Sequence, residues 1–216
     1  MVGDRAFELI DQGVPFRGLR GPDPLGRREA RACAALLELG QVGAVSATDF
    51  RLTLDYLPSR PRDLWLRYGM KAGVEKAGLH SGSVVTIADA ERLGYQPALL
   101  DLVRVGQPWP ALESMPRWLL DYYRRVAARH GAAGLTDNPR YELSTIHHAK
   151  GREWDEVELS LDWGKRPLRA LYDGERAGES RVLYVGLTRT RGEANFVDGW
   201  KRKDRKSTRL NSSHRL

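Results

Sequence analysis

A chain of 216 residues and 24.3 kDa has room for one sizeable core, or one core with a smaller insertion. Its 41% hydrophobic and 29% charged residues are ordinary for a globular protein, and no run of about 18 apolar residues exists to cross a membrane. The formal charge of +7 falls to +4 once the last thirteen residues, with Arg205, Lys206, Arg209 and Arg215 against Asp204, are set aside. That tail, "DRKSTRLNSSH" and two residues more, reads as a translated stretch of a common sequencing adapter, so residues 204–216 are expected to be non-native. The residual charge is a mild sign of a polyanionic partner. The opening "MVGDRAFELIDQG" has early acids and no apolar h-region, which argues against a secretory signal. Cys33 is the only cysteine, as suits a reducing, cytoplasmic setting, and its alanine and leucine neighbours predict a buried thiol rather than a nucleophile.

Taken in chain order, "VPFRGL" at 14–19 predicts a short strand. Asp23 followed by Pro24 predicts a helix start, with a helix over about 25–39 that puts Ala30, Cys33, Leu36 and Leu37 on one side and stops at Gly40. From 41 to 138 prolines and glycines break the pattern into short elements, expected to be helical. The clearest is "MPRWLLDYYRRVAARHG", where Leu119, Tyr122, Tyr123 and Val126 recur at helical spacing and Gly131 offers a stop. Trp65, Trp109 and Trp118 have rings able to stack on bases, but no spacing supports that use and core packing is expected. "YELSTI" and "DEVELSL" alternate and predict strands, the second with Val157, Leu159 and Leu161 on one face. The run at 182–187 fits strand or helix by period alone, and "EANFVDGW" predicts a last strand. Sheet segments at both ends flanking a helical excursion argue for an α/β fold.

The polar centre of "LSTIHHAKGREWDEVELS" (143–160) carries the chemistry. A metal site is not expected. Adjacent His147 and His148 point to opposite faces of a strand and do not converge on a helix, and no HExxH is present, although Glu153 and Asp155 lie nearby. A phosphate cradle of the form GxxxxGK followed by Ser or Thr is also missing from this chain: Lys150-Gly151 has the reverse order, and Gly164-Lys165 is followed by Arg166. A strand-to-loop junction touching nucleic-acid phosphate and a nucleotide remains.

That stretch resembles motif V of the superfamily 1 DNA helicases of the UvrD/Rep/PcrA type. "ESRVLYVGLTRTR" (179–191) resembles their motif VI, an acid followed by RxLYVALTRA, and the two stand in the family's order. "ELIDQGVPFRGLRGPDPLGRREARACAALLEL" is similar to the stretch after motif IV, and "PRWLLDYYRRV" to phage-type members. Arg152 stands where the family usually has Leu, and Thr190 where it has Ala. The usual N-x-P-x-RGIG region survives only as "LDYLPSRPRDLW", and the middle segment is shorter than the bacterial insertion.

The resemblance implies a RecA-like second lobe of a P-loop NTPase, a parallel sheet with a mostly helical insertion. Its first part would be 1–40, the insertion 41–138, and the remainder with motifs V and VI 139–203. It implies that Thr145, His147 and Lys150 contact single-stranded DNA and that Gly151, Glu153 and Arg189 bind the nucleotide, Gly151 by shaping the loop, Glu153 by taking the ribose hydroxyls, and Arg189 as the arginine finger at the γ-phosphate of ATP. Mg²⁺ ligands and the Walker A half would belong to an N-terminal motor lobe missing from this chain. The intact protein would be an ATP-dependent helicase of a bacterial or phage-infected cytoplasm, acting in DNA repair or replication, and the fragment alone is expected to be inactive. The alternative is a stand-alone, non-catalytic single-stranded DNA-binding module. A metal-dependent nuclease is the weakest reading.

Overall fold

A computed structural model describes residues 2–19, 23–58, 64–160 and 176–197. The chain is mixed α/β and divides into two compact units, residues 6–143 and residues 1–5 with 144–216. Among the described residues no helix is long and apolar enough to cross a membrane.

Unit 6–143 holds most of helix α1 (Val2–Gln12), strand β1 (Phe16–Gly18) and helix α2 (Arg28–Gln41). The Asp23-Pro24 helix start is not used. The Asp23 carboxylate instead accepts the Gly18 amide at 3.2 Å, and α2 begins at Arg28. Gly40 does not end α2 either. A Cβ there would lie 1.9 Å from the carbonyl oxygen of Val103, so the missing side chain serves close approach of helix α6 (Pro97–Arg104). The stripe Ala30, Cys33, Leu36 and Leu37 is buried as its period requires. Cys33 lies 3.9 Å from the sulfur of Met115, and burial drives its thiol far up from the ordinary range, so it is inert.

Helix α7 (Arg117–His130) buries Leu119, Tyr122, Tyr123 and Val126 and stops at Gly131, whose φ is +70°. Both tyrosines keep their hydroxyls bonded, Tyr122 to the carbonyl of Val14 at 3.0 Å and Tyr123 to that of Pro24 at 2.7 Å. Trp109 is in the core and Trp65 is half-buried, but Trp118 is 45% exposed, with the Arg27 guanidinium 6.0 Å above its ring. For Trp118 core packing was the wrong expectation, because at the first turn of α7 its side chain falls off the buried stripe.

The stretch 41–138 is not purely helical. Strands β2 (Ala44–Ser46) and β3 (Val84–Thr86) pair antiparallel about Val45 and Val85. Each runs straight into a helix, α3 (Ala47–Tyr56) or α5 (Ile87–Leu93), capped by its last hydroxyl. Ser46 accepts from the Asp49 amide at 3.0 Å and Thr86 from the Asp89 amide at 3.2 Å. Helix α4 (Met70–Lys76) completes this part. Strand β4 (Tyr141–Leu143) closes the unit by pairing parallel to β1, Phe16 opposite Tyr141 and Gly18 opposite Leu143. A parallel neighbour requires a long crossover; here the whole of residues 19–140 supplies it.

In the second unit, strand β5 (Trp154–Ser160), helix α8 (Arg176–Leu187) and strand β6 (Thr190–Val197) form a βαβ arrangement with β5 and β6 parallel. The run at 182–187 is therefore helix. Leu159 is buried and Val157 half-buried, whereas Leu161, the end of "EANFVDGW" and the tail 204–216 lie outside the described residues. Gly186 lets α8 come close to β5: a Cβ on it would meet Leu159 Cδ2 at 2.8 Å.

Candidate functional site

The strand expected through Ile146 ends at Leu143, and the chain turns over Ile146–Gly151. Thr145 organises this turn. Its carbonyl accepts the amides of His148 at 2.9 Å and Ala149 at 3.1 Å, and its hydroxyl sits 2.9 Å from His148 Nδ1. Ala149 is buried beneath the turn while His147, Lys150 and Gly151 are exposed. Gly151 has φ +80°, a conformation open chiefly to glycine, and the turn hands on to β5 through the Arg152 amide bonding the Ala149 carbonyl at 3.0 Å. The two histidines thus differ. His148 is tied to Thr145, and His147 points its ring to solvent, free among the described residues.

Glu153 directly precedes β5 and is exposed. Arg189 directly precedes β6 and is half-buried. The Trp154 amide donates to the Arg189 carbonyl at 2.9 Å, so the backbones at Glu153 and Arg189 meet at the end of the pair where both strands begin. An exposed carboxylate accepts hydroxyls and a guanidinium donates to phosphate oxygens, so this donor and acceptor set suits a nucleotide. Thr145, His147, Lys150 and Gly151 share the preceding turn. Among the described residues no group of three His, Cys, Asp or Glu side chains is arranged to hold a metal ion.

Some details of this end were not visible in the sequence. Tyr184 is 67% exposed because it lies on the face of α8 away from Gly186 and Leu159. Arg191 pairs with Asp155 at 2.9 Å, though both are largely exposed and the pair adds little stability. Thr188 carries no signal by spacing, yet its hydroxyl touches the Arg189 guanidinium at 3.1 Å.

The turn and the helix–strand junction belong to a mixed α/β unit whose class is compatible with the second lobe of a helicase motor. Residues 126–194, from within α7 to within β6, match the family UvrD-like helicase C-terminal domain. Over that stretch the chain is similar to the C-terminal part of superfamily 1 helicases of the UvrD/Rep/PcrA type. It is 35% identical over 150 residues to the protein named ATP-dependent DNA helicase UvrD2 of Mycobacterium tuberculosis (strain ATCC 25618 / H37Rv), an alignment covering 65% of this chain and 20% of that protein. The protein of the same name from Mycobacterium bovis matches equally, with 35% identity over 150 residues. The chain thus spans about a fifth of the length of the curated relatives it matches, 20% in each.

Proposed function

We propose that the chain is the C-terminal fragment of an ATP-dependent DNA helicase or translocase, supplying one wall of an ATP site and a single-stranded DNA contact. Residues 1–40 and 139–203 would belong to the second RecA-like lobe, with 41–138 as its insertion. The parallel pairing of β1 with β4, which joins segments from either side of that insertion, supports this division.

The observation that carries the reading is the Trp154–Arg189 backbone bond at 2.9 Å, which holds Glu153 and Arg189 at one end of the β5–β6 pair. In phosphoryl transfer negative charge spreads over the γ-phosphate oxygens, and a permanently charged guanidinium from a second lobe stabilises it. Arg189 takes that role, and the Glu153 carboxylate accepts the ribose hydroxyls. Mg²⁺ would screen the phosphates from ligands on the other motor lobe. Lys150 and His147 meet the phosphate backbone of single-stranded DNA from the exposed turn, with Thr145 holding that turn in shape. One continuous segment, Thr145–Trp154, then links the DNA contact to the ATP contact.

The test uses the intact helicase containing this chain. Arg189→Ala is expected to lower DNA-stimulated ATP turnover by about a thousand-fold while single-stranded DNA binding is retained. Unchanged turnover would sink the finger assignment. Lys150→Ala is expected to weaken single-stranded DNA binding and to flatten its log–log salt slope by about one, read by fluorescence anisotropy in a salt series. An unaltered slope would remove Lys150 from the contact.

A further inference from the structure

The side chain of Arg189 is held by its own helix end. Its Nε–H donates to the Val185 carbonyl at 3.1 Å, and Nη2 donates to the Thr188 hydroxyl at 3.1 Å. The Thr188 hydroxyl in turn donates to the same Val185 carbonyl, also at 3.1 Å. A closed triangle of carbonyl, hydroxyl and guanidinium results at the C-terminal end of α8. The backbone beneath it is pinned by the Thr188 amide on the Tyr184 carbonyl at 2.9 Å and the Arg189 amide on the Gly186 carbonyl at 3.2 Å.

A guanidinium has five N–H donors in a rigid plane. The triangle occupies those on its side edge, one on Nε and one on Nη2. The end edge, formed by Nη1 and the second Nη2 hydrogen, stays uncommitted among the described residues, and that edge matches two oxygens of a phosphate. The hydroxyl serves because it spends its own proton on the Val185 carbonyl, leaving a lone pair turned toward Nη2. Threonine also restricts χ1 through its γ-methyl, so the hydroxyl keeps its direction.

Resting on the reading of Arg189 as the finger, we propose that Thr188 is its positioning residue, holding the side edge of the guanidinium so that the end edge is presented to the γ-phosphate. Thr188 does not touch the nucleotide. Its hydroxyl fixes in advance an arginine that would otherwise have to be ordered as the transition state forms, and preorganisation of this kind acts on turnover more than on ground-state binding.

The experiment compares Thr188→Val, Thr188→Ser and Arg189→Ala in the intact helicase with saturating single-stranded DNA. Thr188→Val keeps the shape and removes the hydroxyl; it is expected to lower kcat roughly ten-fold with KM for ATP within about two-fold. Thr188→Ser is expected to restore most of the loss. Affinity for ADP with aluminium fluoride, a mimic of the transferring phosphoryl group, should fall in parallel with kcat while affinity for ADP alone holds. Thr188→Val with kcat within two-fold of the parent, beside a crippled Arg189→Ala, overturns the positioning role and leaves the finger standing. Equal losses in the Val and Ser variants accompanied by a lower melting temperature also overturn it, since they report a damaged helix end. Normal turnover in Arg189→Ala removes the finger itself, and the positioning role with it.

Discussion

The two units are built on different principles. Residues 6–143 are organised by burial: Leu36, Leu99, Leu119, Tyr122 and Tyr123 are wholly enclosed, and their polar atoms are answered by backbone carbonyls. In the unit of residues 1–5 and 144–216 the buried apolar side chains among the described residues are Ala149 and Leu159. Order there comes from hydrogen bonds: a turn folded on the Thr145 carbonyl, a parallel strand pair, and an arginine tied to its own helix end. Every candidate functional residue lies in this second unit. The difference teaches where a substitution should register. In the first unit it should appear as lost stability, and in the second as lost turnover with the fold retained.

Arg189→Ala in the intact helicase is the largest expected effect and the sharpest test of that contrast, about a thousand-fold in turnover with the unfolding midpoint almost unmoved. A large drop in stability would break the comparison. Leu119→Ala is its opposite. A fully enclosed leucine on α7 should cost about 3 kcal/mol in urea unfolding, with ATP turnover per folded molecule unchanged. A loss under about 1 kcal/mol would mean the surrounding side chains collapse into the space. Thr86→Ala is the smallest, about 1 kcal/mol, from loss of the α5 cap.

The last of these also has a pH signature. Hydrogen bonds from the Thr86 hydroxyl and amide hold the Asp89 carboxyl below its usual range. A depressed folded pKa contributes stability that is present above the unfolded value, about 3.9 for Asp, and is lost as pH falls through the folded value. The gap between parent and Thr86→Ala should therefore narrow in acid and be constant from neutral pH down to about 5. A gap that widened in acid would contradict the carboxylate's part in the cap.

How much of this was legible in the sequence depended on what each element leaves as a pattern. Helix α7 was readable because Leu119, Tyr122, Tyr123 and Val126 repeat with the helical period and Gly131 follows. Strands β2 and β3 were not, since three residues are too few to show alternation and their caps, Ser46 and Thr86, look like ordinary loop residues. Asp23-Pro24 misled because a cap is decided by which amide is within reach: the Asp23 carboxylate takes the Gly18 amide, and α2 begins only at Arg28. Gly40 misled because a glycine that ends a helix and one that admits a neighbouring carbonyl look alike as letters. The α/β class was legible from sheet segments flanking a helical stretch, and the strand-to-loop junction near 145–151 from motif resemblance. The run at 182–187 fitted strand or helix by period, and only the structure makes it helix. Thr188 was not legible, because its contact depends on the rotamer of the arginine beside it.

The β2–β3 pair carries one more consequence. The Ala47 amide bonds the Ser83 carbonyl at 2.8 Å, and the Ile87 amide bonds the Gly43 carbonyl at 3.0 Å. Both donors belong to the first residue of a helix, where an amide ordinarily has no partner within its own helix. Each helix thus has its first amide taken by the residue leading into the opposite strand, in a local two-fold arrangement. Neither strand can leave without uncapping the other's helix, and neither helix can fray from its start without loosening the pair. Two strands of three residues each, too short to persist by themselves, are in this way built into a single latch that opens whole or stays shut.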